Sequence, residues 1–185
     1  MRTPPETPPV IAAWVEADRS QELARMEAQL SPACVLRSPL TDAFVFVGRH
    51  EVAQVFGAAF DLLRDIEIAA VTGAGDDWVV HGTNTLGGRN LEEIQWLRLG
   101  DDGLIAEVTL FIRPVPAAIG LFARIGARLV ARGVLPRRAG VAASSLAPFA
   151  VLFAGIERVL MPRLGPGSVS AGCGMREGRP GDRSA

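Results

Sequence analysis

Hydrophobic and polar residues change period several times along this chain, and each change predicts an element. After Pro8-Pro9, Val10, Ile11, Trp14 and Val15 recur at helical spacing, and proline suits a first helical turn. Leu23, Met26 and Leu30 continue that period in a second helix, capped by Asp18 or Ser20 and stopped by Ser31-Pro32. A short strand, Ala33 to Arg37, comes next. In the loop over residues 38–48, Phe44 and Phe46 are expected to fold back over the core. From Arg49, the residues Val52, Val55, Phe56, Ala59, Phe60 and Leu63 fall on one face of a third helix. Asp65 to Thr72 reads as a strand that ends at Gly73-Ala74-Gly75-Asp76-Asp77.

From Trp78 to Arg113 the period is two. Three strands, Trp78 to Leu86, Leu91 to Leu99 and Leu104 to Arg113, are separated by Gly87-Gly88-Arg89-Asn90 and Gly100-Asp101-Asp102-Gly103. Glycine beside Asn or Asp is turn chemistry, because positive φ costs glycine little. With Gly88-Arg89 as a two-residue turn, Leu86 pairs with Leu91, Asn84 with Glu93 and Gly82 with Gln95. With Asp101-Asp102 as the next, Leu97 pairs with Ala106, Gln95 with Val108 and Glu93 with Leu110. One face then carries Val80, Leu86, Leu91, Leu97, Val108, Leu110 and Ile112, with Asn84, Glu93 and Gln95 as its polar members. The other carries His81, Trp96 and Glu107 in one row and is mixed in character. The first is the natural inner face. A one-residue slip would exchange the two and make His81 and Glu107 the inward pair.

Past Arg113, Pro114-Val115-Pro116 leads into a helix that ends near Gly133. Arg124, Arg128 and Arg132 form a ridge on it that reads as a solvated face. Residues 140–156 are nearly all apolar, yet shorter than the ~20 residues of a membrane span and interrupted by Pro148. Leu146, Phe149, Phe153, Ile156 and Leu160 recur on one side, which predicts a helix packed on the domain or on a partner subunit. The Gly-, Arg- and Ser-rich tail is expected to be disordered. The expected organisation is a disordered lead over 1–8, a domain over 9–115, a helical extension over 116–162 and a tail over 163–185.

Composition narrows the functions. The 185 residues are 49% hydrophobic and 21% charged, which suits a globular domain with a substantial core. Nineteen basic against 20 acidic residues leave a net charge of -1 and no electrostatic case for nucleic acid. Every basic residue is arginine, and there is no tyrosine, so a lysine Schiff base and a tyrosine acid or oxyanion donor are excluded. Cys34 and Cys173 are not expected to pair, and two distant histidines offer no metal-ligand spacing. No phosphate-binding glycine loop precedes a helix. No metal or cofactor is expected. With no apolar leader in Met1 to Pro9, the expected location is cytoplasmic.

The order of two helices, a strand, a helix and four antiparallel strands resembles the nuclear transport factor 2-like superfamily. Cys34-Val35-Leu36-Arg37-Ser38-Pro39, Phe46-Val47-Gly48-Arg49, Gly87-Gly88-Arg89, Trp96-Leu97-Arg98 and Asp102-Gly103-Leu104-Ile105-Ala106-Glu107 bring it closer to the SnoaL-like branch. The resemblance covers about residues 9–115. It implies an α+β fold, a conical barrel whose curved antiparallel sheet wraps N-terminal helices around an apolar pocket, and often a homodimer. Ketosteroid isomerases, epoxide hydrolases, polyketide cyclases and non-catalytic binders share that superfamily, so the fold leaves the activity open. Its enzymes typically place an inward aspartate on the last strand, where this chain has Val108, Leu110 and Ile112. A further aspartate, two residues before the Leu-Leu-Arg-type segment, is Gln95 here.

A carboxylate on an apolar inner face must find partners or hold its proton. Glu93 is therefore the candidate catalytic residue, with solvation at the barrel mouth or an arginine partner as its ordinary alternative. Asn84, Gln95, Val108 and Leu110 are the candidate ligand contacts, with Trp14 above them from the first helix. The favoured expectation is a barrel that binds a small apolar ligand. The alternatives are a lyase, isomerase or cyclase on a polyketide-like or steroid-like substrate, with Glu93 moving a proton, and a dimeric interaction module using the outer sheet face.

Overall fold

The protein is described from a computed structural model that covers residues 6–39, 41–138, 145 and 147–159. The start of the expected lead, most of the link before the last helix and the glycine-rich tail with Cys173 lie outside the described residues.

Helix α1, Pro9–Ser20, starts on proline and ends at Gln21, whose left-handed backbone (φ 56°) lets its N–H return to the carbonyls of Ala17 and Asp18. Helix α2 is short, Leu23–Glu27, and the chain is already extended at Leu30. Strand β1, Leu30–Arg37, thus takes in Ser31-Pro32, which the sequence suggested as a helix stop. Leu30 is fully buried and pairs with Ile105, so packing across the sheet outweighs its helical spacing. Strand β2 is Phe46–Val47 and α3 is Arg49–Phe60. The hairpins comprise β3 (Leu63–Ala74), β4 (Asp77–Leu86), β5 (Arg89–Leu99) and β6 (Ile105–Arg113). Helix α4, Val115–Ala131, and helix α5, Ala147–Val159, follow. Phe46 is buried as expected; Phe44 is half-exposed and meets it edge-on at 5.4 Å.

The strands form one curved, unclosed sheet in the order β2-β1-β6-β5-β4-β3. The pairing of β1 with β6 is parallel, so the sheet is mixed, whereas the sequence suggested an antiparallel one. On its concave side, Ile11 and Trp14 of α1 and Val52 and Phe56 of α3 join Val80, Leu97 and Val108 in one core. A second, smaller core joins Ala117 and Leu121 of α4 to Leu63, Leu86 and Leu91.

The facing of β4, β5 and β6 is as read from the sequence, but the register is not. The first turn is Gly87-Gly88 (φ 56° and 78°). Leu86 consequently faces Arg89, Asn84 faces Leu91, Gly82 faces Glu93 and Val80 faces Gln95. On the other side, Leu97 faces Val108, Gln95 faces Leu110 and Glu93 faces Ile112. Both strands slide by an even step, which moves partners but keeps each side chain on its face. An irregularity after Arg98 turns Ile105 inward in place of Ala106. The expected row His81-Trp96-Glu107 is dispersed: His81 faces Ile94, Trp96 faces Thr109 and Glu107 faces Arg98.

The arginine ridge of α4 is not uniformly solvated. Arg132 bonds Asp61 at 3.0 Å and Gln54 at 2.9 Å, tying α4 to α3. It approaches Gly57 so closely that a Cβ there would lie 2.6 Å from its Nη1. Helix α5 packs along α4, with Phe149, Leu152 and Phe153 at the surface. Among the described residues, no helix is long and apolar enough to cross a membrane.

Leu97 is fully buried between Trp78 and Val108, while neighbouring Thr109 lies on the opposite face. In urea unfolding, Leu97→Ala is expected to cost about 2–5 kcal/mol and Thr109→Ala less than about 1 kcal/mol. Equal losses would contradict this facing.

Candidate functional site

The α1 residues Ile11, Trp14 and Asp18 are buried on one side of the helix, which lies over the concave face. Trp14 and Asp18 are four residues apart, so they stand one above the other on that side. Strand β5 points Leu91, Glu93, Gln95 and Leu97 toward the same space. Gln95 sits between the two elements and is 1% exposed.

Its amide joins three side chains. The Trp14 indole N–H donates to Gln95 Oε1 at 2.7 Å. Gln95 Nε2 donates to Asp18 Oδ2 at 2.8 Å and to Glu93 Oε1 at 3.0 Å. An indole nitrogen only donates, so the oxygen of the amide must face Trp14 and both its N–H bonds must face the carboxyl groups. Trp14 is itself fixed, fully buried and edge-on to Phe56 at 5.0 Å.

Burial presses protons onto the carboxyls, against the pull of the amide bonds. Burial pushes Asp18 up to about 7; the Glu93 charge adds to the rise, and the Gln95 bond opposes it. Glu93 is also raised, by burial, again with the Gln95 bond opposing. Asp18 is almost fully buried, whereas the Glu93 side chain is partly open, beside the half-buried Leu110 and Ile112. Together they are two neighbouring carboxyls whose protonated forms burial favours, with Glu93 the less enclosed of the two.

Asn84 is on the same face, one strand pair along from Gly82 and Glu93. It is 3% exposed, and neither its Nδ2 nor its Oδ1 has a partner among the described residues. The structure therefore bonds Glu93 to Gln95 and leaves Asn84 separate. Val108 is fully buried in the core beside Leu97 and Leu36; Leu110 lies at the edge of the polar group. Trp14 acts as a buried donor.

Sequence reasoning missed Asp18, which it placed at a helix cap. The signal was present: residue 18 follows Ile11 and Trp14 at helical spacing on the apolar side. His81 is on the outer face, 3.9 Å from Glu92. Glu107 is engaged there with Arg37 at 2.6 Å and Arg98 at 3.5 Å. Among the described residues, no three His, Cys, Asp or Glu side chains are grouped to hold a metal ion.

The bent six-stranded sheet with helices on its concave side is an α+β fold of the nuclear transport factor 2-like class. The chain belongs to the SnoaL-like domain family, whose model matches residues 11–108. Two similar solved structures show how far the likeness extends. An uncharacterized bacterial protein with a cystatin-like fold, from Silicibacter pomeroyi, is 22% identical; the match covers 66% of this chain and 86% of that one, with TM-score 0.63. A steroid delta-isomerase from Pseudomonas aeruginosa is 23% identical over 68% of this chain and 93% of its own, with TM-score 0.62. Likeness at these identities shows the fold. No curated protein matches the chain.

The raised Asp18 value sets a pH dependence. A carboxyl whose folded pKa lies above its ordinary 3.8 binds its proton more tightly when folded. Stability therefore falls as pH rises from 3.8 toward about 7 and levels off above. Asp18→Asn is expected to flatten that fall, giving more stability than the parent in mildly alkaline buffer, by on the order of 2–4 kcal/mol. Urea midpoints at acid and alkaline pH measure it; parallel profiles for the two proteins would contradict the assignment.

Proposed function

We propose that this protein binds a small apolar molecule carrying one polar oxygen, on the concave face of its sheet. The observation that carries the reading is Asn84. A buried amide with neither atom bonded costs about 1–3 kcal/mol relative to a bonded one. A ligand carbonyl or hydroxyl beside it recovers that cost, while Leu110 and Ile112 contact the apolar body. Residues 9–115 form the binding unit in this reading, and the later helices are an extension over its edge.

A second reading is proton transfer at such a ligand, in an isomerase or cyclase. The paired carboxyls favour it: Glu93 takes or gives the proton, and Asp18 sets its charge through Gln95. Asn84 donates to the ligand oxygen, since Gln95 already has three partners. Binding leads because strand β6 offers no inward aspartate and the chain has no tyrosine. We also propose a homodimer, supported by the exposed Ile94, Trp96 and Phe111 on the outer face.

Titration with a steroid ketone and its parent hydrocarbon, followed by tryptophan fluorescence, tests the binding. The ketone is expected to bind more tightly, and Asn84→Leu to erase the difference, a loss of about tenfold. Glu93→Gln should keep binding and abolish any turnover. Equal affinity for ketone and hydrocarbon in the parent protein would contradict the reading.

A further inference from the structure

A second site lies outside the concave face, where α4, the β4–β5 turn and α5 meet. Two adjoining cavities, of ≈ 360 and ≈ 470 Å³, share Arg89, Pro116 and Ala117. The first is also lined by Arg124 and Val151, and the second by Arg158. Each volume is in the range that holds small organic ligands.

Three arginines thus reach one cleft from three elements: Arg89 at the start of β5, Arg124 on α4 and Arg158 on α5. None has an ion pair or side-chain hydrogen bond among the described residues, whereas Arg132, at the C-terminal cap of the helix that carries Arg124, is bonded to Asp61. Among the described residues, no carboxylate lines either cavity. The Arg124 guanidinium lies against the glycine turn: a Cβ on Gly87 would lie 2.8 Å from its Nη1. The wall between the arginines is apolar, made by Leu86, Pro116, Ala117 and Val151.

Unneutralised guanidiniums around an apolar trough match one ligand chemistry. Guanidinium recognises carboxylate and phosphate oxygens through paired N–H donors, and the trough takes hydrocarbon. We propose that this cleft binds a small amphiphilic anion, a carboxylate or phosphate head on an apolar chain, with the head at Arg89 between Arg124 and Arg158. The site is independent of Asp18, Asn84 and Glu93. It also gives the extension formed by α4 and α5 a role, since each supplies one arginine and part of the wall.

The test is calorimetric titration of the full chain with decanoate, decyl phosphate and decanol, each kept monomeric. Decanoate or decyl phosphate, or both, should bind at least about tenfold more tightly than decanol. The Arg124→Gln, Arg158→Gln variant should lose that preference while its decanol affinity and unfolding midpoint stay put. Asn84→Leu should leave it intact, which separates this cleft from the concave site. Vesicles of phosphatidylcholine with phosphatidylglycerol provide the other source of anionic heads. Capture on these vesicles without binding of free decanoate or decyl phosphate would overturn the proposal in favour of a membrane contact. Equal affinity for decanol and both anions, or an anion preference that survives the double substitution, would overturn it as well.

Discussion

The side-chain amide of Gln95 is the contact on which the interior depends. It accepts from Trp14 and donates to both Asp18 and Glu93, so it fixes the position of α1 over β5 and the spacing of two carboxyls together. A hydrophobic residue at that position would pack, but Trp14, Asp18 and Glu93 would each lose a partner inside a low-dielectric core. The group is stable as a unit, because every polar atom of the amide is used. Its cost falls on the carboxyls, which hold protons at pH values where exposed acids would not.

The sheet makes this possible through parity. Alternation along β5 puts Glu93 and Gln95 on the concave face and Ile94 and Trp96 outside. The outer face then becomes a lattice of charges, in which Glu107 meets Arg37 and Arg98, and Arg98 also lies over Trp96 at 5.5 Å. Those exposed pairs add little stability individually. They do keep ionised groups away from the interior, where Asp18, Glu93, Gln95 and Asn84 provide the polar chemistry. The half-buried Leu110 and Ile112 leave Glu93 partly accessible, while Asp18 behind it is sealed.

Much of this was legible in the sequence, for a physical reason. Side-chain facing depends only on odd or even position, so the inward set Asn84, Glu93 and Gln95 survives a two-residue slide of the hairpins. The slide itself was not legible, because Gly87-Gly88 and Gly88-Arg89 both offer a residue suited to positive φ. Local spacing put Leu30 in a helix, and a long-range partner, Ile105, put it in a strand. Asp18 was overlooked because aspartate is common at helix caps, a preference that says nothing about a carboxyl bonded to a residue 77 positions away. The convergence of Arg89, Arg124 and Arg158 depends on how α5 lies along α4, which no local pattern encodes.

The central question is whether Asp18 keeps a proton close to neutrality and Glu93 keeps one above the ordinary glutamate range. Carbon-13 NMR of the side-chain carboxyls, titrated with pH and assigned through Asp18→Asn and Glu93→Gln, measures this directly. Asp18 is expected to titrate near 7 and Glu93 above the ordinary glutamate value, and Glu93→Gln is expected to lower the Asp18 midpoint. Two independent titrations at ordinary carboxylate values would contradict this, and would leave the Gln95 group as a structural contact alone.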